Sequence, residues 1–149
     1  MAGYGDKPFG IRDIKITNMA GTTQVDLPNA QTLTFSERLT QGELRGDDAT
    51  VSVVAFTDAV EWELEAGGIS LEAYALMTGR VVTTTGTTPN RTTTLAGSAG
   101  DNFPYFKVYG KSQGDSATDD IHVKLNKCKL TAAPSGDFKD GEFFMLKTG

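Results

Sequence analysis

Few residues in this sequence have the chemistry to act on a substrate, and their spacing keeps them apart. There is one histidine, His122, and one cysteine, Cys128. A nucleophilic pair needs its base within hydrogen-bond reach of the attacking atom. These two sit six residues apart on one alternating segment, and an extended chain separates them by about 20 Å. One His and one Cys cannot complete a zinc ligand set, and the spacing of an EF-hand calcium loop is absent. Asp115, Asp119 and Asp120 read as a solvated acidic turn, as does the pair Asp47-Asp48. The run Ala96 to Gly100 lacks the lysine and the following helix of a phosphate loop. Asn90-Arg91-Thr92 matches a glycosylation sequon, yet Met1 to Asp13 carry no apolar core of signal-peptide length. The carboxylate row Glu61, Glu63, Glu65 has the residue type for acid–base work, but no neighbour suggests a pocket. It reads as the wet face of a strand. The expectation is no catalytic residue, no cofactor, no metal, and a protein that is not an enzyme.

The elements that hold these residues follow from composition and pattern. The chain has 149 residues, enough for one domain that buries roughly two-thirds of its unfolded surface. A lone cysteine leaves no internal disulfide framework, so packing or assembly must supply stability. The longest uninterrupted apolar stretch, Val53-Val54-Ala55-Phe56, is far short of a membrane span, and a soluble protein made in the cytoplasm is expected. The net charge of −5 argues against tight nucleic-acid binding, which needs clustered Lys and Arg. Lys124, Lys127 and Lys129 are the one basic cluster, read as a solvated sheet face. Threonine runs and 17 glycines favour strands separated by turns.

Strict alternation marks the strands. Met1 to Gly10 has no periodicity and reads as an N-terminal arm. Ile14 and Ile16 share a face of a strand over Ile11 to Thr17, and Leu33, Phe35 and Leu39 share one over Gln31 to Leu39. The polar stretch Thr40 to Thr50 reads as a long, mobile hairpin loop, and Val51 to Phe56 as a strand buried on both faces. In Val60 to Glu65, Val60, Trp62 and Leu64 point to a core and the three glutamates away. A helix is predicted over 70–78, with Ser70 as N-cap, Gly79 at C′ and an apolar stripe on Leu71, Tyr74 and Ala75, widened by Leu76 and Met77. Val81 to Leu95 reads as two strands around Pro89-Asn90, and Phe106 to Lys111 as another. In Ile121 to Thr131 the inward parity changes after Leu125, which places a β-bulge near Asn126-Lys127. A last strand, Glu142 to Lys147, reads as a sheet edge open to another subunit. Seven to nine strands and one flanking helix predict an all-β sandwich or barrel-like domain over residues 11–149.

The order of these elements resembles the tail tube (major tail) proteins of long-tailed bacteriophages. The resemblance runs from about Phe9 to Gly149. It rests on the hairpin Thr34 to Val53, the alternating strand leading into Gly67-Gly68-Ile69-Ser70-Leu71-Glu72-Ala73, and Phe103-Pro104-Tyr105-Phe106. The Asp120 to Leu125 strand with its Lys127-Cys128-Lys129 continuation follows, and then Asp140-Gly141-Glu142-Phe143. The resemblance implies a ring-forming fold, in which six copies close a continuous barrel and rings stack into a tube. Gln41, Glu43, Leu44, Arg45, Asp47 and Asp48 would then form the loop that reaches an adjacent ring or subunit. It further implies a virion protein, assembled in the host bacterial cytoplasm with tape-measure, tail-initiator and tail-terminator proteins, without membrane contact. Genomic DNA would pass along the lumen without specific binding.

A lumen lined with carboxylates gives a polyanion no sticking points. Glu61, Glu63 and Glu65 are the candidates for that lining, with Glu37 and Glu43 behind them. Two other readings compete: the hexameric tube of a contractile secretion system, and a β-sandwich ligand-binding module. The latter needs an exposed aromatic platform, whereas Trp62 is in phase with Val60 and Leu64.

Overall fold

The alternating segments become strands in a computed structural model, which describes residues 9–27, 29–68, 70–98, 100, 102–114, 120–136, 138–142 and 145–149. In chain order they are β1 (Phe9–Asn18), β2 (Gln24–Leu27), β3 (Ala30–Gly46), β4 (Ala49–Gly67), α1 (Leu71–Thr78), β5 (Val82–Thr85), β6 (Thr92–Leu95), β7 (Phe106–Gln113), β8 (Ile121–Cys128) and β9 (Met145–Thr148). The fold is all-β with one short helix. Three antiparallel sheets are ordered β2-β1-β7-β8, β3-β4-β9 and β5-β6, and none of them closes on itself. Most of the expected N-terminal arm, residues 1–8, lies outside the described residues, while Phe9 and Gly10 already belong to β1.

The core forms where the first two sheets face each other. Ile14 and Ile16 of β1, Phe106 and Val108 of β7 and Leu64 of β4 are all almost fully buried. Burying each such side chain contributes about 1.5–3 kcal/mol. Trp62 meets Phe106 edge to face at a centroid distance of 5.7 Å, the preferred geometry for two aromatic quadrupoles. Gly110 of β7 leaves room for its neighbours: a Cβ there would lie 2.8 Å from Ile14 Cδ1 on the adjacent strand and 3.4 Å from Leu33 Cδ2 of the facing sheet.

Two local expectations are met and two are changed. Phe106 pairs with Cys128 but Val108 with Leu125, so β8 holds one extra residue at Asn126–Lys127, the predicted bulge. It turns Cys128 into the core, and Leu130 beyond it is also buried. The helix is capped as read: Ser70 Oγ accepts from the Ala73 N–H at 3.3 Å, and Gly79 closes it at φ 73°. Its buried face agrees at Ala75 and Met77 and differs elsewhere. Ala73 and Met77, one turn apart, are fully covered, with Ala75 and Thr78 beside them. Leu71, Tyr74 and Leu76 are only half-buried. The helix lies against β1 and β2, and the small Ala73 lets it approach; Tyr74 instead lies under the Arg80 guanidinium at 5.8 Å. β2 has no counterpart in the sequence reading. Its hairpin with β1 is fixed by Asn18, whose Oδ1 accepts from the Thr22 N–H at 2.9 Å and the Thr23 N–H at 3.2 Å.

β9 adds to β4 as an outer strand of the second sheet, pairing Leu64 with Thr148 and Gly67 with Met145. The expected last strand starts at Met145 and not at Glu142, with Phe143 outside the described residues. Its outer side is not open: Ser135 and Lys147 exchange backbone hydrogen bonds at 2.9 Å, and the Thr131 N–H donates to the Gly149 carbonyl at 3.2 Å. Among the described residues no helix is long and apolar enough to cross a membrane.

Candidate functional site: the hairpin of β3 and β4

The β3–β4 hairpin is the longest feature of the molecule, and it corrects the sequence reading twice. Residues 40–50 are not a loop. Thr40 pairs with Phe56, Gln41 with Ala55, Gly42 with Val54, Glu43 with Val53, Leu44 with Ser52 and Arg45 with Thr50. The β-branched Thr50, Val51, Val53 and Val54 across the ribbon supply the strand preference that the polar strand lacks. The connection shrinks to Asp47-Asp48, with φ of 41° and 64°. Two consecutive left-handed residues make a type I′ turn, and Asp tolerates that conformation better than most residues. The second correction concerns Val51 to Phe56, which is not buried on either face. Val51, Val53, Val54 and Phe56 are 57–66% exposed.

The register assigns every side chain to a face, because paired residues lie on the same side and neighbours along a strand alternate. On one face Leu33 pairs with Leu64 and Phe35 with Trp62. Leu33, Leu64 and Trp62 pack on the core, whereas Phe35 and Val60, the latter expected to point to it, are 57% and 44% exposed because the facing sheet ends before them. On the other, Thr32 pairs with Glu65, Thr34 with Glu63 and Ser36 with Glu61, a wholly polar surface. Arg38 pairs with Ala59 but Leu39 with Thr57, so Asp58 is an extra residue that reverses the parity of β4. Beyond it the polar face turns apolar: Phe56, Val54 and Leu44 now lie on the same side as the glutamates. Arg38 marks the boundary, held by Asp58 at 2.6 Å and approached by Glu61 at 3.7 Å.

The candidate lining residues are therefore divided. Glu61, Glu63 and Glu65 form one row on the outer face, with Glu65 tied to Lys147 at 2.9 Å. Glu37 pairs with Val60 and lies on the opposite face, where its carboxylate accepts from Thr57 Oγ1 at 3.4 Å. One surface cannot display all four. Gln41, Glu43 and Arg45 share the face of Glu37, and Leu44 lies on the other. Glu43 and Arg45 hold each other at 3.2 Å, which leaves Asp47 and Asp48 at the tip. The chain matches no family model and no curated protein sequence.

The reactive residues stay scattered. His122 is on the exposed side of β8, and its Nδ1 meets the hydroxyl of Tyr109 across the sheet. Cys128 is buried, and desolvation pushes its thiol up to about 11 against a weaker opposing hydrogen bond from the backbone at Val108, so its nucleophilic form is scarce near neutrality. Asp120 bonds to Lys111 at 2.7 Å. That bond lowers the pKa of the carboxyl and raises that of the ammonium. Asp115 and Asp119 lie outside the described residues, among which no group of His, Cys, Asp or Glu side chains converges as a metal site.

The surface that the sequence reading missed is apolar. Leu39, Leu44, Val51, Val54 and Phe56 are each more than half exposed, as is Phe35 nearer the core. The signal was present as a run of apolar residues facing a strand too polar to share a core with it.

Proposed function

We propose that the chain is the structural subunit of a bacteriophage tail tube. Copies close into six-membered rings, rings stack, and the tube conducts genomic DNA into the host. The observation that supports this reading most is the distal hairpin. An isolated two-stranded ribbon is at best marginally stable in water, yet this one carries bare apolar side chains on both faces. Exposed apolar surface of that kind marks an assembly interface. The outer edge of β3 continues the same logic, because a 17-residue edge strand is a template for another chain unless it is covered. Joining sheets around a ring covers it. The outer glutamate row suits the lumen, where Glu61, Glu63 and Glu65 would repel DNA phosphates. The protein would then be part of the virion tail, meeting tape-measure, initiator and terminator proteins during assembly.

Negative-stain electron microscopy over rising protein concentration, with light scattering for mass, tests the reading. Hollow tubes with six-fold end views are the expected result. A monodisperse monomer at every concentration and salt would count against it and favour a ligand-binding module.

A further inference from the structure

A cleft of about 810 Å³ opens between β4 and β8 at the root of the distal hairpin. Lys124, Lys127, Lys129, Arg38, Glu61 and Trp62 are among its lining residues. Arg38 is already committed to Asp58. The two lysines nearest the bulge of β8 are held in place: Lys127 Nζ lies 4.5 Å and Lys129 Nζ 5.4 Å from the centre of the Tyr105 ring. Lys129 also donates to Asn102 Oδ1 at 3.2 Å. Among the described residues no carboxylate lies within ion-pair distance of Lys124, Lys127 or Lys129. Glu61 is the one acidic side chain lining the cleft. The cleft thus has three lysines and one glutamate in its lining in an acidic protein, with the ammonium groups of Lys127 and Lys129 resting on Tyr105 and Asn102 beside it.

At the other end of the hairpin the charge is opposite. Glu43 is neutralised by Arg45, while Asp47 and Asp48 stand exposed at the turn. Asp47 is nine residue steps along the strand from Arg38, a span of about 30 Å, so tip and cleft of one chain cannot meet. We propose that the Asp47-Asp48 tip of one copy docks in the lysine cleft of the next. This deepens the tube reading, on which it rests, by naming the receptor for the tip. Each copy offers one tip and one cleft, so the contact is heterologous and propagates. It sets successive copies roughly 30 Å apart along the hairpin direction. A hairpin also brings its own apolar flanks, Leu44 and Val51, against the neighbour. Nucleic acid has no such apolar complement.

Charge swapping tests the contact in the full-length chain. Two double variants are made, D47K/D48K and K127E/K129E, and self-association is followed by sedimentation velocity and electron microscopy. Each variant alone places like charges together, and its association midpoint should rise at least about tenfold. An equimolar mixture restores opposite charges at every junction, as lysine tip meets glutamate cleft and aspartate tip meets lysine cleft. Association should return to within about threefold of the unmodified protein, a recovery that a folding fault cannot give. If the unmodified protein forms tubes and the variants do so equally well, the docking contact is wrong while the tube reading stands. If the variants fail and the mixture does not recover, the contact is also wrong. If the unmodified protein never self-associates, both fall. Binding of a short DNA duplex that K127E/K129E abolishes, without any effect on association, would assign the lysines to a polyanion instead.

Discussion

The two halves of the β3–β4 hairpin share strands and pairing, yet they live by different rules. Near the core, one face is apolar and covered by Phe106 and its neighbours, and the other is a polar row of Thr, Ser and Glu. Beyond Asp58 both faces carry apolar side chains, and none of them has a partner sheet among the described residues. The proximal half is stabilised within the chain, the distal half by whatever covers it. Sheet pairing alone therefore does not account for a strand; the same ladder of hydrogen bonds serves a folding unit at one end and, on the proposed reading, an interface at the other.

Truncating the core side of this comparison should have the largest effect. Phe106→Ala removes the edge-to-face partner of Trp62 and should destabilise the monomer by about 3–5 kcal/mol in urea unfolding. The same experiment on the distal half should invert the outcome. Val54→Ser with Phe56→Ser should leave monomer stability within about 0.5 kcal/mol while weakening self-association at least about tenfold in sedimentation. A loss of monomer stability like that of Phe106→Ala would show that the distal half belongs to the folding core after all. Gly110→Ala sharpens the proximal side, because its Cβ would press on Ile14 Cδ1. Overpacking of this kind should cost about 1–3 kcal/mol with assembly otherwise unchanged.

Cys128 reports on core opening without disturbing the hairpin. With its thiol raised from 9.0 to about 11 by burial, alkylation at pH 8 should run about 100-fold slower in the native protein than in urea. The native state holds that proton more tightly than the unfolded chain does, so this group makes stability fall as pH rises from 9.0 toward 11. The smallest effect is expected at Lys111–Asp120, remote from both halves. Asp120 is depressed by its bond to Lys111, so its contribution is present above the ordinary carboxyl value of 3.8 and is lost as pH falls through its lowered value. Lys111 is raised by the same bond, so its contribution persists up to pH 10.5 and fades above it. The melting temperatures of the unmodified protein and Asp120→Asn should differ only slightly at neutral pH and converge at both extremes.

Much of the proximal architecture was legible because period-two patterning there coincides with burial. Ile14 and Ile16, Trp62 and Leu64, the cap Ser70 and the bulge at Asn126–Lys127 all follow from local rules. The distal hairpin was misread for a physical reason. Gly42, Gly46 and a run of polar residues imitate a loop, and their strand character resides in the partner strand twenty or fewer positions away. The apolar run Val51 to Phe56 was read as doubly buried because no single chain offers the surface that would cover it. Glu37 shares only its residue type with Glu61, Glu63 and Glu65; it is in phase with Leu33 and Phe35, whose face pairs with Leu64 and Trp62. The helix stripe shifted because packing favoured the small Ala73 over the larger Tyr74.

Asp58 also restricts how the hairpin can change length over evolution. Gaining or losing one residue in either strand beyond the bulge would exchange the two faces of everything distal to it. Faces survive only if each strand changes by two residues together, which moves the tip in steps of about 6.6 Å. The reach of the hairpin is therefore quantised, and if copies stack as proposed, related assemblies with different spacings should differ by whole steps of this size.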